Sequence, residues 1–210
     1  MGYFDRIRDG LSLRGNIPPL LLSSIIEGSA WNMHEVVWQP YILSLGGTTA
    51  TVGALNSLWS AVWAMLQFAT GPITDALGRK KIIIAYYGFS VIGLSFSLLA
   101  GSWIHLIPVI LLYSVADALG DPAFPPMYAE SVDEEKMGLA LSLLSLTWWL
   151  PGLYSQVIGG YLGDHMGVRQ VISVTLVLEV LAFVIFWAFV KETLRVTKPV
   201  SYTHLRAHET

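Results

Sequence analysis

Six ionisable side chains stand inside stretches of the sequence that are otherwise apolar: Glu27, His34, Glu35, Asp117, Asp121 and Glu179. In lipid an ionisable group at a helix centre costs about 2.5–3.5 kcal/mol on insertion scales, so it faces a cavity or a partner. Several chemistries fit this set. Carboxylates that alternate between buried and wet states can couple movement to protons. The same carboxylates, with Trp31 and Trp38 nearby, suit a cationic solute held by charge and cation–π contact. Histidine and carboxylates also suit a metal ion, but the ligands would come from two distant stretches without a tight local motif, so no metal site is assigned. Interhelical hydrogen bonds that only hold helices together are the purely structural reading. Covalent chemistry is not indicated. There are no cysteines, and no phosphate-binding G-x-x-x-x-G-K-[ST] run. The chain reads as a non-enzyme with no cofactor and no nucleic-acid partner.

The elements that carry these residues follow from hydropathy. Hydrophobic residues make up 54% of the 210 and charged residues 13%, about half the charge of a soluble domain. Mean hydropathy is +0.58. The expected solvent is therefore the lipid bilayer. A helix needs about 20 apolar residues to cross it, and six stretches qualify, at 17–43, 50–70, 82–101, 106–128, 138–161 and 170–190. The first follows a polar segment and lacks a small-residue cleavage pattern, so it is not read as a signal peptide. Lysine and arginine set the orientation. Arg6, Arg8, Arg14, Arg79, Lys80, Lys81, Lys136, Lys191, Arg195 and Lys198 all fall on one side of this arrangement, and Arg169 falls alone on the other. The sequence thus predicts an all-α, polytopic membrane protein of the cell membrane, with its N-terminus and the end of helix six in the cytoplasm.

At about 100° per residue, the first span gathers Ser23, Ser24, Glu27, Trp31, His34 and Trp38 on one arc, with Glu35 beside it. The fourth gathers Tyr113, Asp117, Gly120, Asp121, Phe124 and Tyr128. Each stripe is polar and aromatic on an otherwise apolar helix, the opposite of a lipid-facing surface. Compared at about 1.5 Å per residue, Glu27 and Asp121 are expected somewhat to the cytoplasmic side of mid-membrane, Trp31 and Asp117 near the centre, and His34 and Glu35 slightly outward. Pro125 and Pro126 are expected to terminate span four. Pro151 and Gly152 should bend span five beside Trp148, Trp149 and Gln156.

An internal repeat gives the six spans an order. Gly71-x-x-x-Asp75-x-x-Gly78 recurs as Gly160-x-x-x-Asp164-x-x-Gly167, each copy at the end of a span but on opposite sides. Two three-helix units of opposite orientation follow. Gly71 and Gly78 are read as permitting a tight turn and close helix approach. Arg79, Lys80 and Lys81 are read as favourable bases at the C-terminus of helix two and as a topology anchor. Asp75 is unfavourable at a helix C-terminus and therefore requires a partner.

The stretch GPITDALGRKK resembles the signature loop of the major facilitator superfamily at Gly71, Asp75, Gly78, Arg79 and Lys80. PYILSLG (40–46), IGGYLGDHMGVR (158–169) and KETLR (191–195) are similar to other segments of that superfamily. The resemblance runs from about residue 15 to 195. It implies twelve helices in two pseudo-symmetric halves, with solute bound between them and moved by alternating access in symport or antiport. This chain would supply the N-terminal six-helix half and lack the C-terminal one as its partner. The implied gating loop is Gly71, Asp75, Gly78, Arg79 and Lys80, with Arg79 and a helix start of the other half as partners of Asp75. The implied pocket for a small-molecule substrate or protons comprises Glu27, Trp31, His34, Asp117, Asp121 and Gln156. Glu179 is assigned a structural place, because the sixth helix of the family faces away from the cavity.

Two positions depart from the superfamily. Ala116 stands where many members carry an arginine four residues before Gly120, and Ser155 and Gln156 replace a Gly-Pro pair common in proton antiporters. A six-helix membrane assembly subunit that transports nothing is the alternative function. The expected organisation is a cytoplasmic segment at 1–16, the bundle at 17–190, a linker at 191–199 and an artefactual or disordered tail at 200–210. The tail resembles translated sequencing-adapter sequence, which implies a product cut near Pro199, and His204 and His208 receive no role.

Overall fold

The computed structural model of the protein describes residues 15–194. The expected N-terminal segment and linker therefore lie largely outside the described residues, and the expected tail lies wholly outside them. Among those described, the regular structure is helical. Six long helices follow one another: α1 (Ile17–Ser44), α2 (Thr49–Leu77), α3 (Arg79–Leu99), α4 (Leu106–Ala129), α5 (Met137–Met166) and α6 (Val168–Phe189). Short 3₁₀ turns at Trp103–His105 and Glu134–Lys136 lead into α4 and α5. By length and composition α3, α4, α5 and α6 can each cross a membrane. Helices α1 and α2, of 28 and 29 residues, have the length, but they carry more of the polar residues.

The signature stretch is not a loop. Helix α2 continues to Leu77 and α3 begins at Arg79, leaving Gly78 as the whole connection. Gly78 turns the chain at φ +99°, ψ 149°, where a Cβ would be strained. Gly167 joins α5 to α6 in the same way, at φ +97°, ψ 155°. The sequence repeat is thus a repeat of backbone geometry. Gly71, by contrast, lies inside α2 with open space where its Cβ would be, so it marks no close approach here. The three bases also fall differently from expectation. They open α3 rather than close α2, and a helix N-terminus repels positive charge. Glu192 compensates, accepting from the backbone N–H groups of Arg79 at 3.0 Å and Lys80 at 3.1 Å. Lys80 does reach a helix C-terminus, but that of α6, donating to Trp187 O at 2.9 Å.

Packing runs mainly between the two units rather than within them. Helix α1 lies against α5 and α6, and α4 lies against α2 and α3, with α3 also touching α6. At Gly28 of α1 an added Cβ would sit 2.2 Å from Thr147 O of α5, so only glycine allows the helices this close. Asn16, before α1, exchanges two hydrogen bonds with the backbone of Lys191 after α6, tying the ends of the bundle. Helix α4 passes through Pro122, Pro125 and Pro126 and ends at Ala129. The expected termination at Pro125 and Pro126 does not occur. Lost ladder bonds are outweighed there by burial of Phe124, Met127 and Tyr128. Helix α5 is likewise continuous through Pro151 and Gly152.

Two large apolar cores and a small cluster of Met33, Val37 and Val171 fill the bundle. One, around Leu20, Ile83, Phe124, Met127 and Phe186, occupies the end where α1 begins. The other, around Tyr41, Leu55, Leu106, Ile110 and Ile172, occupies the opposite end. The polar residues of the interior lie between them.

Candidate functional site

The polar stripe of α1 faces the bundle. Ser23, Ser24, Glu27 and His34 are buried, while Glu35 is exposed. Glu27 is only 1% exposed. Both its carboxylate oxygens are satisfied from α3: Tyr86 donates to Oε1, and Tyr87 to Oε2 at 2.7 Å. A buried carboxylate without such donors would be prohibitive.

The acids of α4 point elsewhere. Asp117 Oδ2 accepts from Trp59 Nε1 of α2 at 2.8 Å. Asp121, one turn on, accepts from Trp63 Nε1 at 2.8 Å and Gln67 Nε2 at 3.0 Å. Trp59 and Trp63 stack with centroids 5.9 Å apart, so the spacing of the acids on α4 matches the spacing of donors on α2. Gln156 of α5 donates to Asn32 Oδ1 at 3.0 Å, and Asn32 in turn donates to Gly28 O and Trp148 O.

The predicted single pocket is therefore divided. A small cavity of about 20 Å³ at mid-height is lined by Glu27, Trp31, His34, Tyr86, Ser90 and Glu179, among others. A larger open cavity of about 350 Å³ is lined by Trp31, His34, Glu35, Trp38, Asn56, Trp59 and neighbours. Trp31, His34 and Tyr113 line both. Asp117 and Asp121 sit behind the tryptophans of α2, and Gln156 belongs to the α1–α5 seam. What separates the carboxylates is their donors: tyrosines of α3 hold Glu27, and tryptophans of α2 hold Asp117 and Asp121.

Glu179 is the principal residue that sequence reasoning misplaced. It is 4% exposed and lines the small cavity together with Glu27 and with Ser90 of α3. Its helix was read as peripheral, yet α6 packs against both α1 and α3. The signal available in sequence was the lone charge in the most apolar span.

At the end where α2 meets α3, Arg79 bridges two acids. Its Nη1 lies 2.7 Å from Asp75 Oδ1 and its Nη2 3.2 Å from Glu130 Oε1. The Asp75 side chain remains 72% exposed while that of Arg79 is 9% exposed. Thr193 donates to Glu130 Oε2 at 2.7 Å. Glu130 and Glu192 thus complete a cluster of which sequence reasoning named only Gly71, Asp75, Gly78, Arg79 and Lys80.

Residues 20–205 match the profile of the Major Facilitator Superfamily. The chain is 26% identical over 209 residues to multidrug resistance protein MdtG of Escherichia fergusonii, and 25% identical over 205 residues to that of Salmonella typhi. These matches cover 94% and 93% of the chain and 50% of each relative, so the chain spans half the length of the curated relatives it matches. Among solved structures, a POT family transporter in complex with a thioalcohol-conjugated peptide superimposes with a TM-score of 0.76 at 15% identity, over 86% of this chain and 39% of that one. A bacterial homologue of the human lysosomal transporter Spinster, inward-facing and unoccupied, gives a TM-score of 0.72 at 19% identity, over 91% and 46%.

Proposed function

The chain belongs to the Major Facilitator Superfamily, and on that premise we propose that it forms one six-helix half of a secondary transporter that moves a small organic solute by alternating access. The observation that carries the reading is the larger cavity between α1, α2 and α4. Its volume of about 350 Å³ falls in the range of small-molecule sites. Trp31, Trp38 and Trp59 surround one acid, Glu35, a lining that suits a cationic, partly aromatic solute through charge and cation–π contact. The multidrug resistance names of the MdtG relatives support an organic solute. The inverted repeat with its matched glycine joints supports rocking of two units about a central site. In this reading the end bearing Arg79, Lys80 and Lys191 faces the cytoplasm, and a second six-helix half closes the other side of the cavity. Asp117 holds Trp59 against the cavity, and protonation of mid-membrane carboxylates couples the movement.

The test is Asp117→Asn in the intact protein, reconstituted in vesicles with a lipophilic cationic dye. Asparagine keeps an acceptor for Trp59 but removes the charge. Loss of dye movement at unchanged membrane insertion is the expected result. Movement at the wild-type rate would overturn the assignment of α4 to the solute pathway.

A further inference from the structure

The outer faces of α3 and α6 form one apolar surface that carries charge at a single end. Both helices are long and apolar enough to cross a membrane. They pack side by side, with the rings of Tyr87 and Phe183 in contact at 5.8 Å. On α3, Lys81, Gly88, Ile92, Phe96 and Leu99 fall at helical spacing on one face, and all but Gly88 are exposed. On α6, Val177, Leu181, Val184 and Trp187 do the same. The two faces meet where α3 begins and α6 ends. There Lys80 Nζ donates to Trp187 O at 2.9 Å, and the Trp187 ring remains 59% exposed. The opposite end of this surface differs. Leu99 closes the face of α3, and the nearby base, Arg169, is turned onto Ala100 O.

The acids at the charged end are already committed. Asp75 and Glu130 hold Arg79. Glu192 accepts from the backbone N–H groups of Arg79, Lys80, Thr193 and Leu194. Among the described residues no carboxylate pairs with the ammonium of Lys80 or Lys81, and Lys81 has no hydrogen-bond partner. Both lysines also stand in the first turn of α3, where a helix disfavours positive charge. An anion from outside the described chain would answer both deficits. The surroundings say what kind. The methylene stem of Lys81 can lie on the apolar face while its head stays at the membrane surface, and an exposed tryptophan at a helix end sits at headgroup level. Gly88 follows Lys81 about 10 Å along the axis, with open space where its Cβ would be. The face thus presents a cation, then a notch, then an apolar slope. That is the order of a phospholipid, phosphate first and chains after.

We propose that the α3–α6 edge at this end binds one anionic phospholipid of the adjoining leaflet. Its phosphate lies between Lys80 and Lys81, the Trp187 ring stands beside the headgroup, and an acyl chain crosses Gly88. A zwitterionic lipid brings its own ammonium and gains little from two lysines, whereas a lipid of net negative charge gains from both. The site is distinct from the solute cavity, since Lys80, Lys81, Gly88 and Trp187 do not line it. It rests on the packing of α3 and α6 and not on the transport of any solute. It also has a mechanical effect. Lys80 belongs to the first three-helix unit and Trp187 to the second, so a lipid held by both ties the two units together at one end.

The experiment is thermal denaturation of the purified intact protein in detergent, supplemented with phosphatidylglycerol or with phosphatidylcholine of the same chains. Phosphatidylglycerol should raise the melting temperature by several degrees more than phosphatidylcholine. Lys81→Gln, a change at an exposed position, should remove most of that difference. Lys136→Gln removes the same charge before α5 and should keep it. Brominated chains report position: phosphatidylglycerol carrying them should quench Trp187 several-fold more than brominated phosphatidylcholine, read as the fluorescence that Trp187→Phe removes. Equal shifts with both lipids, or a preference that survives Lys81→Gln, overturn the site. Equal losses in Lys81→Gln and Lys136→Gln also overturn it, since net charge would then suffice. A full shift with glycerol phosphate, which has no chains, overturns the lipid as occupant. No solute is present in any arm, so a protein that moves no solute yet keeps the Lys81-dependent preference defeats the transporter reading alone.

Discussion

Two phenols meeting one carboxylate is the most constrained arrangement in the molecule. Tyr86 and Tyr87 are adjacent on α3, so their side chains diverge by about 100°. Both still reach Glu27, one to each oxygen, because their long side chains bridge from α3 to α1, helices that are not packed directly on each other. Removing one donor leaves a buried carboxylate oxygen unpaired, which costs about 1–3 kcal/mol. Tyr87→Phe should therefore lower the unfolding free energy by that amount, measured by reversible denaturation in mixed micelles, while Tyr161→Phe, whose ring is exposed, should not. An unchanged value for Tyr87→Phe would mean that water replaces the phenol. The carboxylate was legible in sequence because an acid in an apolar run needs an explanation. Its donors were not, since nothing in the run IIIAYYGFS separates a tyrosine that binds a carboxylate from one that faces lipid.

At the scale of helices, the decisive elements are the joints. Each is a single residue with φ near +100°, and each was legible because the sequence repeats Gly-x-x-x-Asp-x-x-Gly. That the preceding glycine, Gly71, has no close neighbour was not legible, since a repeat shows that positions correspond and not which of them bears the strain. Forcing alanine into the left-handed region costs about 1–2 kcal/mol, so both Gly78→Ala and Gly167→Ala should destabilise. They should not do so equally. At Gly78 the new methyl would sit 2.6 Å from the Glu192 carboxylate, against 3.0 Å from the flexible Gln170 at Gly167. Gly78→Ala should also displace the cap of α3, adding about 0.5–2 kcal/mol. Combining it with Glu192→Ala should then cost less than the sum of the two changes, a deficit that a double-mutant cycle would detect. Full additivity would show that Glu192 caps α3 without regard to Gly78.

For the whole molecule, hydropathy gave six helices and the internal repeat gave them an order, while charge only predicts an orientation. It could not give the pairing. The sequence reading placed Glu27 and Asp117 in one pocket because they fall at similar depths and because the first and fourth helices of the resembled family both line its cavity. In the structure each instead seeks the second and third helices of the opposite unit, and the pocket divides accordingly. Glu179 was misjudged for the same reason, since its role depends on α6 meeting α1 and α3 rather than on anything in α6 alone. Asp75 was the better inference, because an acid at a helix end needs a local partner and Arg79 lies one turn on.

The interlocked packing has a consequence for how the protein is made. A ribosome delivers helices in order, yet α1 finds its closest neighbour only when α5 arrives. Gly28 must wait for Thr147, more than a hundred residues of synthesis later, or on the order of ten seconds at about 5–20 residues per second. Throughout that interval the face by which α1 packs on α5 and α6 has no partner from this chain. Nascent chains arrested after α4 should be cleared by membrane proteases several-fold faster than chains arrested after α6, as pulse-chase labelling would record. Equal lifetimes would mean that α1 is sheltered by something other than this chain. The feature that gives the finished bundle its symmetry thus obliges its earliest helix to be the last one settled.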